Sequence, residues 1–390
     1  MSRSYHKVVF LMAVFITVVC AEDFFSMCRF HFGTDITKAQ NNSEMMKEVD
    51  YLTGPWMGSA ETFNIGSFFT TCKNNNKTPV TVAYIIAFAA KRDLKIEDCN
   101  VHPTENLCKK GADYIRQNRS KILNIYDNFA KGIAGTYGTS KPVIFCMEPD
   151  YSQYTESTQN GGGITYQQAG TLMNDIIGTI KKSLPKAMFS MDISPWKDTT
   201  WQVNWYNALN ISSNFSFINT SGGQSKAATD FISDSWSPSL PKWAWVLKRW
   251  GKPVIADAGY GVNGSGTGHD NNWDNVNNLK ARIADGVIGV SQYNAKNDWY
   301  TTIRSIRNQL PTPPKCPAVS SIQKERFPQY GNISIHSGEM VQIINLSGKI
   351  IASLPEDTDF NSSHLGKITG KGMFLIRNSN GKIIKKLHFY

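Results

Sequence analysis

The chain has 390 residues, seven cysteines and a formal net charge of +10 at pH 7. This length is too great for one small domain and suits a large barrel with an appended module. The lysines and arginines are spread along the chain rather than clustered, which argues against a nucleic-acid partner. Beyond the N-terminal segment no apolar run is long enough to cross a bilayer, so we expect no membrane span.

The N-terminal segment has the pattern of an export signal. Two basic residues precede the uncharged apolar run Val8–Val19, which at about 12 residues is too short for a membrane anchor. Cleavage after Ala21 is favoured over lipid attachment at Cys20, because the residues before Cys20 fit a lipobox poorly. We therefore predict a signal peptide at residues 1–21 and a secreted protein.

Export makes disulfide bonds permissible among the remaining cysteines. Cys99 and Cys108 bracket a polar loop and are a predicted pair, and Cys28 with Cys72 is a second. Cys146 lies inside an apolar strand pattern and is predicted to be a buried free thiol. No cysteine or histidine spacing matches a zinc site, so we predict neither a metal nor a cofactor.

Strand and helix patterns alternate along most of the chain. The predicted strands are Phe30–Phe32, Val49–Leu52, Val80–Phe88, Pro142–Met147, Ala187–Met191, Phe215–Ile218, Pro253–Ala256 and Val287–Val290. The predicted helices are Gly111–Ala130, Tyr166–Leu184, Trp201–Leu209, Leu240–Trp250, Trp273–Ala284 and Asp298–Leu310. Such alternation is typical of parallel strands joined by crossover helices. Eight units without a Gly-rich phosphate loop favour an α/β fold of the (β/α)8 TIM-barrel type over residues 22–310.

The composition changes after the barrel region. Four prolines between positions 311 and 317 indicate an extended spacer, and we place a Pro-rich linker at residues 311–332. All ten tryptophans precede it. Short β-like runs separated by turn residues follow, which predicts a small all-β, sandwich-like module at residues 333–390.

Three segments of this module, Asn345–Lys349, Gly370–Arg377 and Asn380–Phe389, resemble the C-terminal sorting domain of the type IX secretion system. The version that they resemble is found in cellulolytic bacteria of the Fibrobacter kind. The resemblance implies export across the outer membrane, with the type IX machinery as a partner. A carbohydrate-binding β-sandwich is the alternative, although the absence of tryptophan from this region counts against it.

Polar residues follow several predicted barrel strands, where side chains face the active-site mouth of a TIM barrel. They are Asp93, Glu148, Asp150, Asp192, Asn219, Asp257, Gln292 and Tyr293. Glycoside hydrolysis needs two carboxyl groups, one protonated to donate to the leaving oxygen and one ionised. The clustering of acids at strand ends therefore predicts this chemistry.

Glu148 is the predicted catalytic acid, because it directly follows an apolar strand and partial desolvation would raise its pKa. Asp257 is the favoured partner, since its strand lies three units later and faces Glu148 across the barrel. Asp192 and Asp150 are the next candidates, and Asp150 could instead orient Glu148 or bind a sugar hydroxyl.

Aromatic residues near these strand ends suit a carbohydrate ligand, because sugar rings stack on aromatic planes. The predicted substrate-binding residues are Asp150, Tyr151, Trp196, Asn219, Tyr260, Gln292 and Tyr293. Trp243, Trp245 and Trp250 share one helix, where core packing is the favoured interpretation.

The strand-end sequence Glu148-Pro149-Asp150, with Asp192 and Asp257, resembles TIM-barrel glycoside hydrolases of the cellulase kind. That resemblance implies an enzyme acting on a β-linked plant polysaccharide, with cellulose or another β-glucan ahead of mannan or xylan, and we expect it to be a monomer. Retaining barrel cellulases have Asn-Glu-Pro at the fourth strand and Glu at the seventh, whereas this chain has Met147 and Asp257 there. The catalytic pair and the stereochemistry stay open, and a non-catalytic polysaccharide-binding barrel is the alternative.

Overall fold

The computed structural model describes residues 29–99, 101–102, 105–156, 163–194, 197–220, 225–233, 239–258 and 268–314, with the backbone of 340–345, 350–355, 372–377 and 383–389. The chain divides into two compact units, Met1–Ser320 and Ser321–Tyr390. The predicted signal peptide at residues 1–21 lies outside the described residues.

The first unit is a closed barrel of eight parallel strands, in which each strand pairs with the next and β8 pairs with β1. The strands are β1 His31–Asp35, β2 Tyr51–Thr53, β3 Thr78–Ala83, β4 Ile144–Met147, β5 Met188–Ile193, β6 Phe217–Thr220, β7 Val254–Ala258 and β8 Val287–Gln292. This architecture confirms the predicted (β/α)8 fold, including the two upstream strands.

Helices surround this barrel. They are α1 Ile36–Gln40, α2 Ser43–Glu48, α3 Gly66–Asn74, α4 Ile85–Leu94, α5 Leu107–Tyr137, α6 Tyr151–Thr155, α7 Tyr166–Ser183, α8 Thr199–Ala208, α9 Ile211–Asn214, α10 Trp243–Trp250, α11 Val276–Ala284 and α12 Trp299–Arg307. A 3-10 helix, Asn271–Asp274, precedes α11. None of the described helices combines the length and the apolar character that crossing a bilayer requires.

Helix starts follow their local sequence. Thr165 caps α7 in a reciprocal arrangement, since its hydroxyl accepts from Gln168 N and the Gln168 side chain accepts from Thr165 N. Asn106 caps α5 by accepting from Lys109 N at 3.0 Å. Each cap satisfies an amide group that the first helical turn leaves without a partner.

The prediction of one strand over Val80–Phe88 is wrong beyond Ala83. The strand ends there and α4 begins at Ile85. Ile85, Ile86 and the alanines that follow are buried almost all round, so the sequence has no periodicity that separates strand from helix.

Two further predictions concern the packing outside the barrel. Trp243 of α10 is fully buried, which confirms its predicted core role, and its ring packs edge-on against Trp273. Asp93 lies within α4 and not at a strand end, where its carboxylate accepts from Tyr114 at 2.5 Å and Lys121 at 2.9 Å. The prediction that Asp93 belongs to the mouth is therefore wrong.

The cysteines follow two of the three predictions. Cys99 and Cys108 form a disulfide, and Cys146 is a buried free thiol. Cys72, however, is also free and fully buried in α3, so its predicted pairing with Cys28 is wrong. Spacing could not exclude that pairing, because it does not show that the Cys72 side chain faces the helix–barrel core.

The floor of the barrel, at the N-terminal ends of the strands, contains a buried ion-pair cluster. The Asp50 carboxylate accepts from Arg29 at 2.5 Å, from Arg307 at 3.1 Å and from Phe32 N at 2.8 Å. His31 Nδ1 lies 3.9 Å from the same carboxylate, and burial lowers the pKa of His31 to about 4. This floor cluster ties β1 and β2 to the last barrel helix.

The second unit contains a four-stranded antiparallel sheet in the order β10-β9-β11-β12. Its strands are β9 Met340–Asn345, β10 Ile350–Pro355, β11 Gly372–Arg377 and β12 Ile383–Phe389. The predicted β-runs of this region thus form strands of one sheet.

Candidate functional site

The mouth of the barrel, at the C-terminal ends of β5 to β8, contains a row of buried polar side chains. Asp192, Asn219, Asp257 and Ser291 are each no more than 9% exposed. Asp192 lies opposite Asn219 in the strand pairing, and Asp257 lies opposite Ser291. Alternate residues of a barrel strand face its interior, and the contacts among these four side chains place them together on that inner face.

Asp257 is the centre of this row. Its carboxyl accepts hydrogen bonds from Ser291 and Asn219, and Asp192 is close enough for its charge to act on it. Burial raises the pKa of Asp257 to about 7, the two hydrogen bonds oppose that rise and the charge of Asp192 adds to it. Both charge states of Asp257 are therefore populated near neutral pH. Its main-chain N–H donates to Thr220 Oγ1 at 2.9 Å.

Asn219 hydrogen-bonds this carboxyl with one end of its amide and buries the other end. The NH2 group is the donor to Asp257, since an ionised carboxylate only accepts. Asn219 Oδ1 is buried and has no hydrogen-bond partner in the described part of the chain. A buried acceptor that lacks a donor is unfavourable, so this oxygen suits a hydroxyl or amide group of a ligand.

Aromatic side chains border the mouth. Tyr293 is half-buried after β8, and burial together with the nearby Asp257 raises the pKa of its phenol. Across the barrel, Tyr84 follows β3 and packs edge-on against Trp56 and Phe88, with ring centroids 5.2 and 5.3 Å away. Trp56 and Phe88 are partly exposed, so this side of the mouth presents apolar ring surface.

Glu148 does not join the row. Its carboxylate is 0% exposed and lies against the N-terminus of α4, where Ile86 N donates at 2.8 Å and Ala87 N also donates. The hydroxyl groups of Tyr126 and Tyr154 donate to its two oxygens, the latter at 2.5 Å. Burial raises the pKa of Glu148 to about 7, as its strand context predicted. Its carboxyl nevertheless fastens α4, α5 and α6 together instead of facing a ligand.

The backbone explains this orientation. Glu148 has φ of +36° and Asp150 has φ of +64°, on either side of Pro149. Left-handed backbone is uncommon for residues with a Cβ atom, and it interrupts the alternation of side chains that a continued strand would have. The Glu148 side chain therefore leaves the barrel interior, although its N–H continues the ladder by donating to Ala83 O at 2.8 Å.

The two residues that follow diverge from each other. Asp150 is exposed at the mouth and accepts from Gln153 Nε2 at 2.7 Å, so it can meet a ligand. Tyr151 is fully buried, packs against Tyr154 and Trp205, and donates to Ala169 O at 3.1 Å. The structure therefore does not bring Tyr151 to the mouth.

Gln292 is also engaged within the protein. It is fully buried, donates to Asp270 O at 2.8 Å and accepts from Asp270 N at 3.2 Å. Its role in this structure is to anchor the segment before the 3-10 helix rather than to face a ligand. Trp196 and Tyr260, the other two predicted substrate-binding residues, lie outside the described residues.

Four residues of the mouth were missed by the sequence interpretation. Ser291 and Tyr51 form a hydrogen bond of 3.0 Å beside Asp257, and Tyr84 with Trp56 forms the aromatic side. Ser291 follows the strand rule and was detectable by its position. Tyr51 opens β2, and its ring reaches Ser291 past Gly33 of β1, a contact that no local pattern indicates.

No group of three His, Cys, Asp or Glu side chains within the described ranges is arranged to hold a metal ion. The described residues of the mouth offer the carboxyl groups of Asp192 and Asp257, with Asp150 exposed beside them, and the Asn219 amide, hydroxyl groups and aromatic rings. Such a set can transfer protons to and from a polar ligand and can hold its hydroxyl groups.

No family model matches the sequence, and no curated protein is significantly similar to it. An endo-β-1,4-mannanase from Cellulomonas fimi is 9% identical, with 95% of this chain and 97% of that chain covered and a TM-score of 0.48. A family 26 β-mannanase from Bacteroides ovatus is 11% identical, with 78% of this chain and 96% of that chain covered and a TM-score of 0.49.

A probable tagatose 6-phosphate kinase from Sinorhizobium meliloti also matches. It is 7% identical, with 67% of this chain and 64% of that chain covered and a TM-score of 0.38. Similarity this low does not decide an activity. The fold assignment rests on the strand pairing of the chain itself.

Proposed function

We propose that this protein is a glycoside hydrolase that cleaves a β-linked plant polysaccharide, with Asp257 and Asp192 as its catalytic carboxyl groups. The observation that carries the proposal is the burial of Asp257 in the barrel mouth beside a second carboxyl group, with a pKa of about 7. Glycoside hydrolysis requires one protonated and one ionised carboxyl group near the scissile bond.

The two roles follow from the charge states. Asp257 keeps a large protonated fraction near neutral pH, which suits the acid that donates to the leaving oxygen. Asp192 is then the carboxylate that attacks the anomeric carbon or activates water. Two neighbouring carboxyl groups disfavour double ionisation, so each group supports the charge state of the other.

A carbohydrate fits the rest of the mouth. Asn219 Oδ1 is a buried acceptor whose complement is a ligand hydroxyl group. Tyr293, Tyr84 and Trp56 supply aromatic surface for the apolar faces of sugar rings. Cellulose or another β-glucan is the favoured substrate, with mannan and xylan as the alternatives.

Asp257 is then the catalytic acid in place of Glu148, the residue that the sequence favours. The Glu148 carboxyl is saturated by four donors and has no exposed surface. It would have to leave the N-terminus of α4 to reach a substrate. We assign it the structural role of capping that helix from outside.

The test is a reducing-sugar assay on cellulose, β-glucan, mannan and xylan. Asp257→Asn and Asp192→Asn should each lower kcat by about 10²- to 10⁴-fold on the substrate that the wild type cleaves. Glu148→Gln should retain activity within about tenfold, because its carboxyl does not touch substrate. Asp230→Asn is the matched control, since this acid is 74% exposed and pairs with Arg282.

Loss of activity in Glu148→Gln with full activity in Asp257→Asn would reverse the assignment. Binding of polysaccharide without hydrolysis by the wild type would instead leave a non-catalytic binding barrel.

We also propose that the enzyme is exported, with residues 1–21 as signal peptide and the C-terminal module as a type IX sorting domain. The N-terminal apolar run and the three C-terminal segments support this proposal. Intact-mass spectrometry of the protein from the culture medium should find an N-terminus after Ala21. Retention in the cell of a chain that lacks residues 333–390 is the expected result for the sorting role.

A further inference from the structure

A line of hydrogen bonds joins side chains of three strands at the mouth, β2, β8 and β7, and ends on Asp257. Tyr51 on β2 and Ser291 on β8 are joined by a hydrogen bond of 3.0 Å, although β1 lies between them. Ser291 in turn donates to Asp257. Tyr51 and Ser291 are each no more than 1% exposed, so water does not compete with either hydrogen bond.

Gly33 of β1 makes this line of hydrogen bonds possible. It pairs with Tyr51 on one side and with Ser291 on the other. A Cβ atom on Gly33 would overlap the Tyr51 ring, so the absent side chain is the space through which the ring crosses β1.

We propose that Ser291, held in place by Tyr51 across Gly33, is a positioning residue that fixes the orientation and the protonation of Asp257. This inference rests on the proposed function. The Ser291 hydroxyl has one proton, so while it donates to ionised Asp257, Tyr51 must donate to Ser291 Oγ. The two hydrogen bonds thus point toward the carboxylate and stabilise its charge.

The other groups that face Asp257 leave Ser291 with a distinct role. In the described part of the chain they are Asp192, Cys146, Tyr51 and Tyr293. Burial raises the pKa of the Cys146 thiol and of both tyrosines, so these three stay neutral near pH 7. Asp192 opposes ionisation of Asp257 by its charge.

Ser291 and Asn219 are then the donors that favour ionised Asp257. Removing the Ser291 hydroxyl takes away a hydrogen bond to a charged acceptor. We therefore expect the pKa of Asp257 to rise by about one unit in Ser291→Ala.

The direct measurement is a pH titration of the full-length protein containing ¹³C-carboxyl-labelled aspartate, followed by NMR, with the Asp257 signal assigned by its loss in Asp257→Asn. Ser291→Ala should raise the Asp257 titration midpoint by about one pH unit, and Ser291→Thr should restore it because it keeps the hydroxyl. Tyr51→Phe keeps the ring and should give a smaller rise. The alkaline limb of the kcat–pH profile should move with the midpoint.

Ser190→Ala is the matched control, because this buried barrel hydroxyl donates to Cys146 Sγ at 3.3 Å instead of to Asp257. An unchanged Asp257 midpoint in folded Ser291→Ala would overturn the inference, whatever the activity. A shifted midpoint with an unmoved kcat–pH profile would uphold the role of Ser291 and contradict Asp257 as the catalytic acid. Gly33→Ala should give the Tyr51→Phe shift, and a wild-type midpoint in that variant would contradict the crossing of β1.

Discussion

The two ends of the barrel bury carboxyl groups in opposite ways. At the floor, Asp50 is surrounded by the guanidinium groups of Arg29 and Arg307 and accepts a main-chain N–H. At the mouth, Asp257 receives a hydroxyl and an amide, and no basic side chain of the described residues forms an ion pair with it. The floor compensates its buried charge, whereas the mouth leaves its carboxyl partly protonated near neutral pH.

This difference separates stability from function. A buried carboxylate with paired cations adds to the fold only while every partner is present. A buried carboxyl group without a cation lowers stability whenever it ionises, and such groups collect at sites that move protons. The comparison predicts that substitutions at the mouth lower activity and leave or improve stability, while substitutions at the floor do the reverse.

Asp257→Asn gives the largest expected effect on activity. The proposed loss of about 10²- to 10⁴-fold in kcat should come with a higher free energy of unfolding at pH 8, because the amide removes a desolvated ionised group. Activity assays and urea denaturation at pH 8 check both parts. A variant that is inactive and also less stable than the wild type would contradict the expected separation of activity and stability between the mouth and the floor.

Asp50→Ala gives the largest expected effect on stability. It leaves Arg307 largely buried without its carboxylate and removes the acceptor of Phe32 N, so unfolding should require about 3–5 kcal/mol less. Urea denaturation with kcat measured per folded molecule checks this prediction. Normal stability together with lost activity would place Asp50 in the catalytic machinery instead.

The free energy of unfolding should depend on pH in two opposite ways, one from the buried carboxyl groups and one from His31 at the floor. Asp257 and Glu148 have folded pKa values raised to about 7, from 3.8 and 4.5. Their contribution to the free energy of unfolding is therefore present at low pH and is lost as pH rises to 7. For Asp257 the loss is at most about 4 kcal/mol. His31 has the opposite sign, because its pKa is lowered from 6.5 to about 4 and its contribution is lost as pH falls through that range.

Free energies of unfolding between pH 4 and 8 measure these slopes. The double variant Asp257→Asn, Glu148→Gln should lose the decline toward pH 7 and keep the acid-side decline that His31 causes. A double variant with the wild-type slope up to pH 7 would contradict the raised pKa values.

Trp56→Ala tests the aromatic side of the mouth. Loss of a ring that stacks on sugar should raise KM by up to about tenfold with little change in kcat, which corresponds to about 0.5–1.5 kcal/mol. Steady-state kinetics on the cleaved polysaccharide measures this split. A fall in kcat at constant KM would show that Trp56 acts on the reacting groups instead.

Asp175→Asn gives the smallest expected effect. Asp175 forms an exposed ion pair with Arg119, in which the side chains are 44% and 41% exposed, so this pair differs from the buried carboxyl groups at both ends of the barrel. Its removal should change the free energy of unfolding by less than about 1 kcal/mol. A larger loss would mean that exposed pairs, and not only the floor cluster, hold the barrel together.

The sequence alone predicted the alternation of strands and helices, the disulfide between Cys99 and Cys108, and the strand-end positions of Asp192, Asn219 and Asp257. These features are local, because hydrophobic periodicity and strand ends are read from neighbouring residues. Local patterns also predicted that the third strand continues through Phe88, although it ends at Ala83. A segment that is buried on all sides has no hydrophobic periodicity that separates a strand from a helix.

Only the tertiary structure decided the direction and the partners of the side chains. Glu148 lies at a strand end as predicted, but left-handed backbone turns its carboxyl to the N-terminus of α4, 62 residues earlier in the chain. Tyr51 reaches Ser291 across 240 residues through the space at Gly33. Such contacts depend on how distant segments pack, and the pKa values of buried groups follow from that packing because desolvation and hydrogen-bond donors are tertiary properties.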